Sequence, residues 1–444
     1  MKKYYLIGIG GIGLSGIAKI LIEQGHQVSG SDMNKNKQTV ALENIGAKIY
    51  IGQKKENISS DIDAIIASSA IPEDNPEILA AKEKDIKIFH RDDFLPELTK
   101  NKKVIAIAGT HGKTTTSSIV SHLLIEAGFD PTFLVGGVLK NYGTNARAGK
   151  GEYFVIEADE FGNAFLGLSP FVAGITNIEY DHPDFFKNEK VYLESFQKFI
   201  DNILPNGYLI KNAEDYLSNL IKSDILTIVF SQKETSDYQI QNFIQKDSGS
   251  EFLIKTKQKS VQIISPLLGI HNAKNILVAY AIANILKISD SIFVSAILSF
   301  QGTGRRLEKL FESKKIRVFS DYAHHPTEVK TVLNSFPYSK NLIAVYQPHQ
   351  FSRTKKFIEQ YKNIFKNANQ VVLLPIFKSR DKKDFGFSIF DLKKNIDHPN
   401  IEVCEDFNKL SKIIKLKCKN SCDIVLMTAG DANQYLNSVI KELQ

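Results

Sequence analysis

Nine consecutive residues, Ala108-Gly109-Thr110-His111-Gly112-Lys113-Thr114-Thr115-Thr116, constrain the fold of this chain more than any other feature. An apolar run from Val104 to Ala108 precedes them and an apolar helical pattern follows, so the segment reads as strand, glycine loop and helix. In phosphate-binding loops the backbone amides cradle phosphate oxygens, a lysine reaches the β- and γ-phosphates and a hydroxyl ligates Mg²⁺. Lys113 and Thr114 stand at those two places. The spacing departs from G-x-x-x-x-G-K-[ST], because Ile107 occupies the position of the first glycine and Gly109 and Gly112 bracket two residues. A strand that feeds such a loop and helix belongs to a parallel α/β sheet.

The chain has 444 residues, which predicts about three domains. Before the loop, Tyr4 to Ile9, Gln27 to Ser31, Ala64 to Ser68 and Lys87 to Phe89 read as strands, with a helix from Leu14 to Glu23. This alternation predicts a Rossmann-like parallel sheet over residues 1–99. A central P-loop ATPase-like α/β domain is expected over 100–301, with strands at Phe154 to Glu157, Val172 to Thr176 and Tyr208 to Ile210. The polar stretch Gln232 to Gln262 reads as β-hairpin decoration, and Asn272 to Leu286 as a helix apolar nearly all round. Residues 302–444 carry a third, Rossmann-like α/β alternation at Val318 to Asp321, Leu342 to Tyr346, Val371 to Pro375 and Ile424 to Met427. Gly302 and Gly304 are the hinge candidates at its start.

Four further groups of residues carry chemistry. Gly8, Gly10 and Gly13 form G-x-G-x-x-G between strand and helix, with Asp32 at the end of the next strand. That pattern fits a ligand diphosphate at a helix N-terminus, of which NAD is one case, and also fits a tight turn with no ligand. Glu157-Ala158-Asp159-Glu160 and Asn177 to Asp184, with Asp181 and His182, end two apolar strands, where carboxylates and one imidazole either hold a divalent metal or cap the strand ends. His271-Asn272-x-x-Asn275 opens the apolar helix, capping it or presenting amides to a base or phosphate. Arg305-Arg306-Leu307-Glu308, Asp321 to Glu328 and Gln347 to Thr354 follow a glycine pair or a strand, and together predict one lip of a cleft.

These elements, AGTHGKTTT, EADE, DH, HNxxN, RRLE and DYAHHPTE, in this order over the whole chain, resemble the Mur ligase family, ATP-dependent amino-acid ligases of peptidoglycan precursor synthesis. Within it, GIGGIGLSGIA (Gly8 to Ala18) and QPHQFSRT look most like the members that join L-alanine to UDP-N-acetylmuramate. The resemblance implies a UDP-sugar on Gly8, Gly10, Gly11, Gly13, Ser15 and Asp32, with no nicotinamide. It implies ATP on Gly109, Thr110, His111, Gly112, Lys113, Thr114 and Thr115, bordered by Asn272, Asn275, Arg306 and Asp321. Mg²⁺ would be held by Thr114, Glu157 and His182. Lys113, Glu157, His182 and Arg306 would be catalytic, while Tyr322, His324, His349 and Arg353 would receive L-alanine. Gln350 departs from the arginine usual after that Pro-His. The ligase that attaches a tripeptide to the same UDP-sugar is the nearest alternative.

Charge decides little on its own. Lysine and arginine number 56 against 49 acids, a formal +7, but they are interspersed without a basic block. A nucleic-acid-stimulated ATPase predicts basic patches interleaved with aromatics, which are absent, and an NAD-dependent oxidoreductase leaves the Lys113 loop unexplained. The expected partners are therefore small molecules, with no nucleic acid and no membrane insertion, for a cytoplasmic monomer or weak dimer. Cys404, Cys418 and Cys422 lack CxxC spacing and are expected to be reduced thiols, with no zinc site.

Overall fold

The computed structural model describes residues 1–444 apart from Glu234, Lys419 and Asn420. It is an α/β protein with three largely parallel sheets, as expected. Two compact units contain them, the first made of Met1–Glu179, Leu193–Gln239 and Ile276–Phe300, the second of Tyr180–Tyr192, Ile240–Asn275 and Gln301–Gln444.

In the first unit, β1 (Lys3–Ile7), β2 (Gln27–Asp32), β3 (Lys48–Ile51), β4 (Ala64–Ala67) and β5 (Lys87–His90) form a parallel sheet in the order β3-β2-β1-β4-β5. Strand order reverses beside β1, so the glycine turn that follows it opens at the switch point where doubly wound sheets bind ligands. The second sheet of this unit contains β6 (Lys103–Ala108), β7 (Thr132–Leu139), β8 (Thr144–Arg147), β9 (Tyr153–Glu157), β10 (Val172–Ile175), β11 (Tyr208–Asn212) and β12 (Leu226–Ser231). Their order is β12-β11-β10-β6-β9-β7-β8, with only β8 antiparallel to its neighbour. Thus β6, which carries the Lys113 loop, lies between β9 and β10, whose ends carry Glu157 and Thr176.

The helix Lys113–Glu126 is buried without interruption from Thr114 to Leu124, so it has no solvent face. Its serines satisfy themselves one turn back, Ser117 Oγ donating to Lys113 O at 2.8 Å and Ser121 Oγ to Ser117 O at 2.7 Å. The helix Ile12–Glu23 of the first sheet docks on β7 and β8: Lys19 Nζ donates to Thr144 Oγ1 at 2.7 Å, and Ala148 N to Glu23 Oε2 at 2.7 Å. This docking carries the first glycine turn to the mouth of the second sheet.

β13 (Tyr238–Lys246) starts beside β12, pairing at Phe230–Tyr238 and Ser231–Gln239. In the second unit β14 (Gly249–Lys255) and β15 (Ser260–Ser265) form an antiparallel hairpin, the expected decoration. β16 (Glu308–Glu312), β17 (Ile316–Asp321), β18 (Leu342–Gln347), β19 (Gln370–Leu373), β20 (Ile401–Val403) and β21 (Cys422–Thr428) form the third sheet, in the order β16-β17-β21-β18-β19-β20. Side chains alternate across it: Val318, Ile343, Val345, Ile424 and Leu426 fill one face, Phe319, Leu342, Ala344, Tyr346, Val425 and Met427 the other. Both faces are covered, as parallel strands require.

Cys418 and Cys422, expected as separate thiols, are joined in a disulfide with Cα atoms 5.8 Å apart. Cys418 follows the last residue of the helix Leu410–Lys417, and Cys422 is the first residue of β21. Cys404 is a buried free thiol. Among the described residues no helix is long and apolar enough to cross a membrane.

Candidate functional site

The phosphate loop is stitched to the strand ends beside it. Thr110 N donates to Asn177 O at 3.0 Å, His111 N to Asn177 Oδ1 at 3.1 Å, and Thr176 Oγ1 to His111 O at 2.5 Å. Thr110 Oγ1 donates to Glu179 O at 2.7 Å and accepts from Glu179 N at 2.8 Å. His111 Nε2 lies 2.9 Å from Glu179 Oε2. Gly109 takes φ +130°, a conformation L side chains rarely adopt, and an added Cβ would run into Thr176 and Asn177.

Lys113 turns its ammonium back over this loop, donating to Gly109 O at 2.5 Å and Thr110 O at 3.1 Å. Glu160, which is 1% exposed, meets the same nitrogen at 2.8 Å. Burial opposes the lysine charge, but Glu160, with Asp159 and Glu157, outweighs it and holds Lys113 protonated above the ordinary lysine range. Thr114 Oγ1 donates to Glu157 Oε1 at 2.9 Å, and Gly136 N to Glu157 Oε2 at 2.6 Å. A hydroxyl and a carboxylate side by side are hard oxygen donors of the kind Mg²⁺ takes.

At the first glycine turn, Gly8 N and Ile9 N donate to Ser31 O at 2.8 and 3.0 Å, and Gly10 N to Asp32 Oδ2 at 2.9 Å. Asp32 also accepts from Asn34 N at 3.2 Å, so its carboxylate holds the turn in shape. Gly11 caps the helix, and Ser15, buried one turn in, donates to Ile12 O at 3.1 Å. Gly13 faces Arg91. A cleft of about 150 Å³ has Ile12, Gly13 and Arg91 on one wall and Gly136, Glu157 and Asp159 on the other. The glycine turn and the Thr114–Glu157 pair, 144 residues apart between Gly13 and Glu157 in sequence, thus share one opening.

In the second unit, Asn272 and Asn275 are buried at the start of their helix. Asn272 Nδ2 donates to Leu268 O at 2.8 Å and Asn275 Nδ2 to Asn272 Oδ1 at 3.1 Å. Asp321 accepts from Leu307 N and Ala323 N, both at 2.7 Å. Burial raises its carboxyl to about 6 against the pull of Arg306 and these two amides. The guanidinium groups of Arg305 and Arg306 lie 4.7 and 5.2 Å from the centre of the Tyr322 ring. His324 and His349 rings meet edge-on at 5.5 Å. Burial, with Arg353 among the charges opposing protonation, pushes both imidazoles down, His324 to about 4.

His182 and Arg353 also belong to this unit. Arg353 is 2% exposed, with Nε 3.0 Å from Asp181 Oδ1, Nη2 3.1 Å from His182 Nδ1 and Nη1 3.5 Å from His349 Nδ1. Asp181 is held well below the carboxylate range: burial opposes its charge, and Arg353 overrides burial. His182 has φ +54°, a left-handed conformation uncommon for its type and often found at functional positions.

The structure therefore brings together Gly13, Lys113, Thr114 and Glu157 in the first unit, and Asp321, Tyr322, His324, His349, Arg353 and His182 in the second. Sequence reasoning missed Gly136, which has no motif around it, and assigned no binding or catalytic role to Asp181, whose partner lies 172 residues away. The ADE acids did carry a signal, and Glu160 is the one that holds Lys113.

Three family models match in chain order: "Mur ligase family, catalytic domain" over residues 3–103, "Mur ligase middle domain" over 107–283 and "Mur ligase, glutamate ligase domain" over 305–430. A UDP-N-acetylmuramate–L-alanine ligase of Aquifex aeolicus is 38% identical, covering 100% of this chain and 98% of its own. One of Clostridium botulinum is 39% identical, covering 98% of both chains. Among solved structures, the UDP-N-acetylmuramate-alanine ligase MurC of Thermotoga maritima aligns with a TM-score of 0.84 at 26% identity, over 100% of this chain and 99% of that one. A murein peptide ligase of Psychrobacter arcticus shares the fold with a TM-score of 0.73 at 24% identity, over 100% and 99%.

Proposed function

The chain belongs to the Mur ligase family, and from that premise we propose that it joins L-alanine to the lactyl carboxylate of UDP-N-acetylmuramate, converting ATP to ADP and phosphate, in peptidoglycan precursor synthesis. The observation that carries this reading is the cleft shared by Gly13 and Glu157. A ligand diphosphate at the first glycine turn and ATP phosphates over Lys113 would bring a sugar carboxylate and a γ-phosphate to the same opening. The full-length similarity to L-alanine ligases supports the choice of amino acid. We assign residues 1–99 to the UDP-sugar, 100–301 to ATP and 302–444 to the amino acid.

A carboxylate is a poor acyl donor. Its oxygen attacks the γ-phosphorus of ATP, ADP leaves, and an acyl phosphate results. The amine of L-alanine then attacks the carbonyl carbon and loses a proton, and the tetrahedral adduct expels inorganic phosphate, leaving an amide. Lys113 would face the charge that builds on the transferred phosphoryl group, and the family resemblance implies Arg306 as a second cation there, stabilisation by pre-placed cations. Thr114 and Glu157 would hold Mg²⁺, and the family resemblance implies His182 as a further ligand; the ion would neutralise phosphate charge. Asn272, Asn275 and Asp321 border adenine and ribose. Tyr322, His324, His349 and Arg353 receive L-alanine, and the two neutral imidazoles meet its ammonium without repulsion.

Phosphate release from ATP, measured with UDP-N-acetylmuramate and in turn L-alanine, glycine, L-serine and the cell-wall tripeptide, tests the assignment. L-Alanine is expected to give the highest kcat/KM. Preference for the tripeptide would transfer the chain to the recycling ligases, and release without any amino acid would refute ligation.

A further inference from the structure

The glycine turn after β1 is held from behind by a buried carboxyl. Glu77, fully buried in the helix Pro76–Glu83, accepts hydrogen bonds at both of its oxygens. Oε1 accepts from Tyr5 Oη at 2.7 Å, Asn57 Nδ2 at 2.7 Å and Lys54 N at 3.3 Å, and Oε2 accepts from Ser31 Oγ at 2.5 Å. A carboxyl taken out of water is costly unless its oxygens are satisfied, and satisfying this one draws β1, β2 and the loop after β3 onto a single group.

Ser31 stands where these contacts meet the turn. Its hydroxyl is anchored to Glu77, while its carbonyl oxygen accepts from Gly8 N at 2.8 Å and Ile9 N at 3.0 Å. Asp32, next in β2, accepts from Gly10 N at 2.9 Å, so the end of this one strand fixes three successive amides of the turn. The loop after β3 closes the frame, with Gly52 N donating to Asp32 O at 2.8 Å and Asn57 Nδ2 to Gly52 O at 3.2 Å. Gly8 has little room to shift, since a Cβ on it would lie 3.2 Å from Ser68 Cβ. Tyr5 meets Glu77 at the other oxygen. Burial, with Glu77 beside it, raises the Tyr5 phenol well above its ordinary range, so it stays a donor there.

We infer that Glu77 is a positioning residue for the UDP-sugar: through Ser31 it fixes the turn from which the helix Ile12–Glu23 starts, and so the aim of that helix N-terminus at the diphosphate. This rests on the L-alanine ligase reading, in which the first glycine turn takes the UDP-sugar.

Steady-state phosphate release and calorimetric binding of UDP-N-acetylmuramate by Glu77→Gln, Ser31→Ala, their double variant and Tyr5→Phe test this. An amide offers one acceptor oxygen where a carboxyl offers two. With Tyr5, Asn57 and Lys54 all donating on the Oε1 side, Glu77→Gln turns its amide nitrogen to Ser31 and ends that hydroxyl's donation. Glu77→Gln and Ser31→Ala are each expected to raise KM and Kd for UDP-N-acetylmuramate about 3- to 10-fold, the scale of one lost hydrogen bond, with kcat and KM for ATP and L-alanine within twofold. The double variant should be no worse than either single one, because both cut the same link. Tyr5→Phe should lower the midpoint of thermal unfolding and leave KM for UDP-N-acetylmuramate within twofold. An unchanged KM in Glu77→Gln or Ser31→Ala, rises that multiply in the double variant, or an equal rise in Tyr5→Phe would each overturn the inference. Where Glu77→Gln does not fold, Ser31→Ala set against Tyr5→Phe decides alone. Failure of the unaltered protein to bind UDP-N-acetylmuramate would instead refute the reading beneath it.

Discussion

Arg353 donates from Nη2 to Nδ1 of His182 at 3.1 Å, and this contact dictates which nitrogen of the histidine carries its proton. A guanidinium only donates, so Nδ1 accepts and the neutral ring is protonated at Nε2. Neither nitrogen then offers a lone pair to a metal. Ligation by His182 requires Arg353 to withdraw from Nδ1, or the ring proton to move. Nitrogen-15 NMR of the nucleotide-free enzyme is expected to show the Nε2–H tautomer, converting when Mg²⁺ and nucleotide bind; an Nδ1–H ring before addition contradicts this arrangement.

Asp181 should matter more for stability than its position in a loop suggests. Asp181→Asn leaves the Arg353 charge buried without its counter-ion, which costs about 3 kcal/mol at neutral pH by analogy with other broken buried pairs. The sign with pH follows from the depressed carboxyl: the stabilisation is complete above the unfolded value near pH 4 and is lost as pH falls below it. Urea unfolding of both proteins at pH 7 and pH 3 should show a gap that narrows in acid. A gap independent of pH would mean that the ion pair is not its source.

Removing Lys113 tests the phosphate loop. Lys113→Ala should lower turnover at least about 100-fold, the scale lost with one pre-placed charge at a transition state. Binding of UDP-N-acetylmuramate, measured by calorimetry, should change little, because the first glycine turn is built from separate strands. Near-normal turnover would remove the electrostatic role assigned to this lysine. The variant also removes the Lys113 ammonium from Glu160, so thermal unfolding should be measured alongside.

Much of this site was legible because its chemistry is local in sequence. Lys113 and Thr114 are adjacent, and Gly8, Gly10 and Gly13 fall within one turn and the helix it starts. The strands β1, β6 and β18 were readable from their apolar runs. β3 was not, since Lys48-Ile49-Tyr50-Ile51 is short and leaves Ile51 exposed. The antiparallel edge strand β16 is likewise half solvated, with Leu310 exposed. What sequence could not supply was pairing across long separations: Asp181 with Arg353, and Gly136 with Glu157. Each depends on which strands become neighbours, and no local period encodes that.

Gly136 illustrates the last case. Its amide grips Glu157 Oε2, and a Cβ placed on it would lie 2.7 Å from that oxygen. Gly136→Ala should therefore push Glu157 away from Thr114 and raise the Mg²⁺ concentration for half-maximal turnover several-fold. The residue is an exposed position within β7, so the midpoint of thermal unfolding should move by only a few degrees, the response to roughly 1 kcal/mol. An unaltered Mg²⁺ requirement would mean that Glu157 is positioned by other contacts.

Asp321 gives the clearest pH dependence. Burial raises its carboxyl to about 6, so between the unfolded value near 4 and about 6 the folded protein holds a proton that the unfolded chain has released. Stability contributed by this group consequently falls as pH rises from about 4 to about 6 and is level above that. Nucleotide binding has the opposite sign. A ribose hydroxyl donates more strongly to the charged carboxylate than to the protonated acid, so ADP affinity should rise from pH 5 to pH 7. Asp321→Asn should flatten that rise while keeping an acceptor oxygen for Leu307 N or Ala323 N. Calorimetric titration of ADP into both proteins across this range checks it, and an equal pH slope in the variant would assign the dependence to another group.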